Sequence, residues 1–377
     1  MRNKRLDVLR CIAVILVMLH HAGIWFVFTR FGWVGVDLFF VLSGFLISGL
    51  LFSEFKRRGS VDFKRFFIRR GLKIYPAFYV FLFLTTIVSY YVLRTGSPLA
   101  RYLHEVLFVQ NYEHGTWDHT WTLAVEEHFY IFLPLFLLVL IRFSSNRQNP
   151  FRSVPWTALT VAGMCLAFRA TSVYWGTPNF HMAYTATHER MDALFFGVLL
   201  GYLYHFHSLG LERVMGSIPN RLAIALVSSA LLSFAYFLPR DDRFLATWGY
   251  TCVYLGCGGV LLLSLYLYGI LPIGLARLAE SVGSGLAFVG MYSYSVYLWH
   301  GPCAAWLPGL LRRLIHFPTG EYSRFLVYFV GSLVVGITMS RLIEYPVLRL
   351  RDRLFPPAQI AAEPEEVSLT PVAAVAP

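Results

Sequence analysis

Charge is what this sequence has least of. Asp, Glu, Lys and Arg together make up 14% of the residues and apolar side chains 57%, where a soluble domain carries about 25% charged residues. With a mean hydropathy of +0.57, that scarcity excludes a separate soluble domain, because the 377 residues are consumed by apolar runs of about 17–23 residues, enough to cross hydrocarbon as helix. Cysteine is sparse too. Its five copies, Cys11, Cys165, Cys252, Cys257 and Cys303, lie within apolar runs, without C-x-x-C or metal-ligand spacing; they read as buried thiols, and no metal is expected. There is no G-x-x-x-x-G-K-[ST] and no G-x-G-x-x-G, so neither nucleotide hydrolysis nor a Rossmann module is indicated. No small-x-small cleavage site precedes His20, so the first apolar run is expected to remain as an uncleaved span.

What is present is a series of apolar runs with polar breaks. They predict an all-α, polytopic membrane protein of about ten transmembrane helices, over 8–28, 34–53, 76–93, 123–141, 155–174, 191–206, 221–238, 246–268, 287–306 and 325–343. Most of the 32 Lys and Arg fall at alternate ends of these runs, including Arg2, Lys4, Arg5, Arg10, the stretch 56–73 and Arg341 to Arg353. The net charge of +11 is therefore topological and calls for no nucleic acid; the positive-inside rule puts both termini in the cytoplasm of a plasma (inner) membrane protein. Residues 1–353 form one membrane domain, and 354–377, rich in Ala, Pro, Glu and Val, are expected to be a disordered tail. The aromatic and basic segment 54–73 is suited to the cytoplasmic interface. Gly197-x-x-x-Gly201 marks a close-packing face, and Pro302 and Pro308 are expected to end the ninth span early.

The first run, Arg10-Cys-Ile-Ala-Val-Ile-Leu-Val-Met-Leu-His20-His21, places two imidazoles inside a span. At roughly 100° and 1.5 Å per residue, Arg10 and His21 share a face about 16 Å apart, with His20 roughly 80° away. Such a helix either bonds its neighbours through the imidazoles or carries an anionic ligand's reaction site. Arg69, Arg70 and Lys73 open the third span. They serve as positive-inside anchors or, with Arg10, as a pocket for phosphates. Trp121-Thr-Leu-Ala-Val-Glu126-Glu127-His128-Phe-Tyr130 opens the fourth. There Glu126 is a candidate to orient His21 or share its acid–base work, and Glu127 is either a solvated helix start or a site residue. Asp37, His119, Glu127, Arg190, Asp192 and His300 fall toward the outer ends as candidate acceptor contacts. Their bland alternatives are an internal ion pair for Arg190 and Asp192, a cap for Asp37 and packing for His300.

Taken in order, these motifs resemble the acyltransferase-3 family of integral-membrane O-acyltransferases, out to about Arg353. Arg10-x10-His21 is similar to the family's basic-residue-to-histidine motif, Gly35-Val-Asp37-Leu-Phe-Phe-Val-Leu-Ser43-Gly44-Phe to its second-helix signature, and Arg65-Phe-Phe-Ile-Arg69-Arg70-Gly-Leu-Lys73-Ile-Tyr-Pro76 to its third-helix entry. Trp121 to Tyr130 resembles its tryptophan-to-glutamate motif, with His128 where glutamine is frequent, and Tyr294-Ser-Val-Tyr-Leu-Trp-His300 and Glu344-Tyr-Pro346 fit its later segments. The resemblance implies transfer of an acyl group, usually acetyl from cytoplasmic acetyl-CoA as donor co-substrate, to a hydroxyl of an extracytoplasmic or lipid-linked carbohydrate. It assigns His21 and Glu126 to catalysis and Arg10, Arg69, Arg70 and Lys73 to the donor. Many glycan-modifying members carry a fused SGNH-type domain; with none in this sequence, the membrane region is expected to finish the transfer itself or pass the group to a separate partner protein. The competing reading is a multi-pass transporter of a glycan precursor or proton-coupled solute, with the intramembrane His and Glu as a proton relay.

Overall fold

The computed structural model describes residues 3–175, 177–266, 273–316 and 320–356, and among them every regular element is helical. In order these are α1 (Lys4–Ala22), α2 (Phe26–Phe31), α3 (Val34–Arg58), α4 (Phe63–Ile87), α5 (Leu99–Val106), α6 (Trp121–Phe143), α7 (Val154–Tyr174), α8 (Phe180–Thr185), α9 (Thr187–Phe206), α10 (Ser208–Gly216), α11 (Ile218–Phe237), α12 (Tyr250–Tyr266), α13 (Ile273–Met291), α14 (Ser293–Ile315), α15 (Glu321–Met339) and α16 (Tyr345–Leu354). The tail expected to be disordered lies, from residue 357 on, outside the described residues.

Seven described segments are long and apolar enough to cross a membrane. They correspond to the second, third, fourth, fifth, seventh, eighth and tenth runs of the sequence, and the pair Phe180–Phe206 and Ser208–Gly216, bent by 97°, makes an eighth if it is one span. Two boundaries differ from expectation for identifiable reasons. The first helix stops at Ala22, because Gly23 takes a left-handed conformation (φ 69°) that ends it. The ninth run, 287–306, straddles a break at Tyr292 (φ −100°, ψ 6°), where α13 hands over to α14. Beyond the break, α14 runs through both prolines to Ile315 instead of stopping at them. Pro302 lacks an N–H and so leaves the carbonyl four residues back, Leu298, without its helical donor. His119 Nε2 supplies that bond at 3.1 Å.

The basic segment 54–73 is divided. Its first part completes α3, which closes at left-handed Gly59 (φ 69°). Asp62 then caps α4 by accepting from the Arg65 N–H at 2.9 Å, so Lys64 to Lys73 form the opening turns of a spanning helix.

The bundle is built inside out. Phe83, Ile131, Trp156, Leu226 and Val334 point outward, as lipid-facing residues do, while charged residues collect at the centre. Its tightest crossing is α3 on α9. A Cβ on Gly44 would run into the Leu194 carbonyl, and one on Gly197 into the Val41 carbonyl. The small-residue face expected at Gly197 and Gly201 is therefore matched by Gly44 across the contact, and the two backbones touch. Gly197→Val should lower the thermal unfolding midpoint in detergent, with a loss of roughly 1–3 kcal/mol from overpacking. Gly163→Val, at a position where an added Cβ meets nothing within 4 Å, should leave it near wild type.

Candidate active site

Two chambers lie end to end along α1. The first, of about 110 Å³, is toward the end of the bundle where α3 stops and α4 begins; Arg10, Arg70, Lys73, Glu126, Glu127 and Tyr130 are among its walls. The second, of about 520 Å³, opens toward the opposite end and is walled in part by His20, His21, His114, His119, His181 and Arg240. A third cavity, of about 550 Å³, meets the second at His21 and runs past Tyr328, Phe325, Arg312 and Arg324.

In the first chamber the Arg70 guanidinium carbon lies 3.8 Å from the centre of the Tyr130 ring, and Arg10 is 3.4 Å from Asp7. Tyr130 and Ser43 share a short hydroxyl hydrogen bond, and Glu126 sits beside both hydroxyls and Arg70. Glu127 faces the Tyr75 hydroxyl. The sequence expectation of Glu127 as an outer acceptor contact differs from this position, because its place in the second turn of α6 points it into the chamber that holds the cations. Arg70 Nε and Glu127 Oε1 are buried without a hydrogen-bond partner, the condition of groups awaiting a polar ligand. Arg69 is turned the other way. It pairs with Asp352 on α16 at 2.9 Å and donates to the Phe355 carbonyl, consistent with the anchoring alternative, since it lies one residue and about 100° from Arg70.

Around the second chamber three imidazoles meet. The ring of His300 is 5.1 Å from that of His21 and 4.6 Å from that of His119. Each takes a main-chain carbonyl as partner: His21 Nδ1 reaches Val17 O at 2.9 Å, His300 Nδ1 reaches Tyr297 O, and His119 Nε2 reaches Leu298 O at 3.1 Å. A carbonyl only accepts, so those nitrogens carry the proton and the opposite ones (Nε2, Nε2 and Nδ1) keep a lone pair. His300 Nε2 is buried without a partner. Glu126 lines neither cavity that His21 lines, and it is the Val17 carbonyl that orients His21. Among the described residues no cluster of three or more His, Cys, Asp or Glu is arranged to hold a metal ion.

Asp37, Arg190 and Asp192 stand apart from both chambers as ion pairs. Arg190 binds Asp37 at 2.7 Å, and Arg169 binds Asp192 at 2.8 Å. All four are at most 2% exposed, and the Arg190 guanidinium carbon is 4.6 Å from the Tyr250 ring centre. Arg169 was not singled out by sequence, although a lone arginine in the apolar run 155–174 demands a buried partner. Glu105 was not singled out either. It is fully buried beneath the loop that delivers His119 and accepts from the N–H groups of Thr116 and Trp117 (3.1 Å each) and the hydroxyls of Thr116 (3.2 Å) and Thr120 (2.9 Å). Burial pushes its carboxyl above the usual range, and these donors oppose that rise.

With the geometry in place, the comparison with known proteins is direct. A family model described as an acyltransferase domain, that of acyltransferase-3, matches residues 3–341. The chain belongs to the acyltransferase-3 family. Its relatives include the peptidoglycan O-acetyltransferase OatA of Listeria monocytogenes, 26% identical over 364 residues, covering 91% of this chain and 55% of that protein. They include also the O-acetyltransferase OatA of Staphylococcus aureus, 26% identical over 367 residues, covering 91% and 56%. The chain thus spans about half the length of these relatives. No solved structure matches it.

The ion pairs yield a prediction. Removing one partner of a buried pair costs about 3–5 kcal/mol, so Asp37→Asn should lower the yield of folded protein and the unfolding midpoint in detergent. An acceptor-binding role alone would leave both unchanged and alter only turnover.

Proposed function

We propose that this chain is an O-acetyltransferase that moves acetyl from acetyl-CoA to a hydroxyl of a cell-envelope carbohydrate across the membrane. The observation that carries this reading is the pairing of a cation-lined chamber with a separate, larger cavity system whose two parts meet at His21. Family membership supports acyl transfer over the transporter alternative. The names of the relatives support O-acetylation and, through the Listeria protein, a peptidoglycan-like acceptor.

In this reading the basic end is cytoplasmic, as the distribution of Lys and Arg favours, and both termini lie there. Arg10, Arg70 and Lys73 receive the phosphates of the donor, and Glu126 with Tyr130 holds Arg70 in place. Guanidinium forks suit phosphate oxygens, and the unpartnered Arg70 Nε supports that role. The acceptor occupies the cavities on the other side of His21. Nε2 of His21 takes the proton of the acceptor hydroxyl as its oxygen attacks the thioester carbonyl, and CoA leaves as the thiolate. In the two-step form, Nε2 itself attacks, an acyl-imidazole and CoA result, and the hydroxyl then takes the acyl group. His119 belongs to the wall of the acceptor cavity, and the His300 ring stands 5.1 Å from that of His21.

The test is purified protein in nanodiscs with acetyl-CoA, followed by thiol release in the presence of peptidoglycan fragments and by intact mass in their absence. General-base help is worth roughly 10²–10⁴ in rate; His21→Ala should lose about that much thiol release while unfolding at the wild-type temperature, and retention of turnover would overturn the assignment. Arg70→Gln should raise KM for acetyl-CoA by about tenfold or more, as loss of a charge-assisted hydrogen bond of roughly 1.5–3 kcal/mol requires. Arg69→Gln, which breaks the contact with α16, should leave KM unchanged.

A further inference from the structure

The two chambers share a wall made of few atoms. Tyr297 and Val36 line both the cation-lined chamber and the His21 cavity, and each is only 6% exposed. The Tyr297 ring is held across the divide by its hydroxyl. That hydroxyl donates to the His119 carbonyl at 2.7 Å, and its single proton being so committed, the Thr122 hydroxyl donates to it, also at 2.7 Å. Thr122 belongs to the wall of the first chamber and His119 to that of the second. Phe39 packs against the ring at 5.9 Å between centroids and His300 at 5.3 Å. A ring so anchored at its tip and packed against by aromatic neighbours does not move aside freely, and among the described residues Val36 is the one other side chain that lines both chambers.

We propose that Tyr297, with Val36, is the septum that the acyl group must pass between donor and acceptor sides, and that the gap it leaves sets the size of the acyl group this chain transfers. The inference rests on the reading of His21 as the residue at which the transfer occurs. Tyr297 is in this account a specificity-determining residue; it takes no part in the bonds made and broken. Size discrimination by a tight apolar contact runs at roughly 10–200-fold per methylene, so a short acyl group passes and its longer homologues are refused.

The experiment uses the full chain in nanodiscs and needs no acceptor. A His21→Cys substitution puts a thiol at the far side of the septum. Thioester exchange then moves the acyl group from the CoA sulfur to the protein sulfur and releases CoA as thiol, with no other reactant. Acetyl-, propionyl- and butyryl-CoA are supplied separately, and peptide mapping separates loading at position 21 from loading at the five native cysteines. With Tyr297 in place, loading should fall steeply from acetyl to butyryl. Adding Tyr297→Ala should raise the butyryl-to-acetyl ratio by at least about tenfold, and Tyr297→Phe, which keeps the ring but frees its tip from His119 and Thr122, should raise it by less. Val36→Ala opens the same wall from the other side and serves if Tyr297→Ala fails to fold. An unchanged chain-length profile in the opened variants, with acetyl still loading, overturns the septum and leaves the proposed function standing. No acyl group at position 21 in any background, with the native fold retained, overturns passage of the acyl group to His21 and the septum with it, while thiol release by the His21 protein with peptidoglycan fragments decides the proposed function separately.

Discussion

A polar group in hydrocarbon has to find its partner inside the protein, and most of what is distinctive in this bundle follows from that constraint. Arg190 and Arg169 are tolerable at the centre only because Asp37 and Asp192 meet them at 2.7 and 2.8 Å. Those pairs bring α3, α7 and α9 together, and the glycine crossing of Gly44 and Gly197 lets two of these helices approach until their backbones touch. The rigid frame so formed is what holds α1 and α6, and with them the two chambers, in register.

Buried polar atoms without a partner occur in both frame and site, and what differs is whether the rest of the group is held by an ion pair. The ion-paired residues spend their charge on one another. Arg70 Nε, Glu127 Oε1 and His300 Nε2 are buried without such partners, and they lie in or beside the chambers. Other unpartnered atoms belong to the frame itself, such as Asp37 Oδ2 and Arg190 Nε, where the opposite edge of each group already carries an ion pair. A charged group left open beside a cavity costs stability, and such a cost is tolerated where a ligand offsets it.

Much of this was legible in the sequence, because length and hydrophobicity suffice to find spans, and a charge inside an apolar run announces itself. The seven strongest spans, Arg10, Arg70, Lys73 and His21 all carry that signal. α13 carries little of it: Arg277 and Glu280 interrupt its run, and the break at Tyr292 is a backbone event with no residue type to mark it. Arg69 and Arg70 are indistinguishable by composition, and only α16 separates their roles. Glu105 and Tyr297 were out of reach for another reason. Their partners include main-chain groups, the Trp117 amide and the His119 carbonyl, and in the case of Tyr297 that partner is 178 positions away; spacing rules have no access to a contact of that kind.

The three central imidazoles draw their N–H partners from carbonyls of Val17, Tyr297 and Leu298, so among the described residues no carboxylate is hydrogen-bonded to any of those N–H groups. Two of those carbonyls belong to α14, one of them released by Pro302. The tautomer of His119 is thus tied to the position of a helix: a slip of α14 by one turn would withdraw the Leu298 carbonyl from His119, whereas His300 and its acceptor Tyr297, both on α14, would move together. Helix position and the nitrogen at which His119 keeps its lone pair are in that sense a single coordinate here.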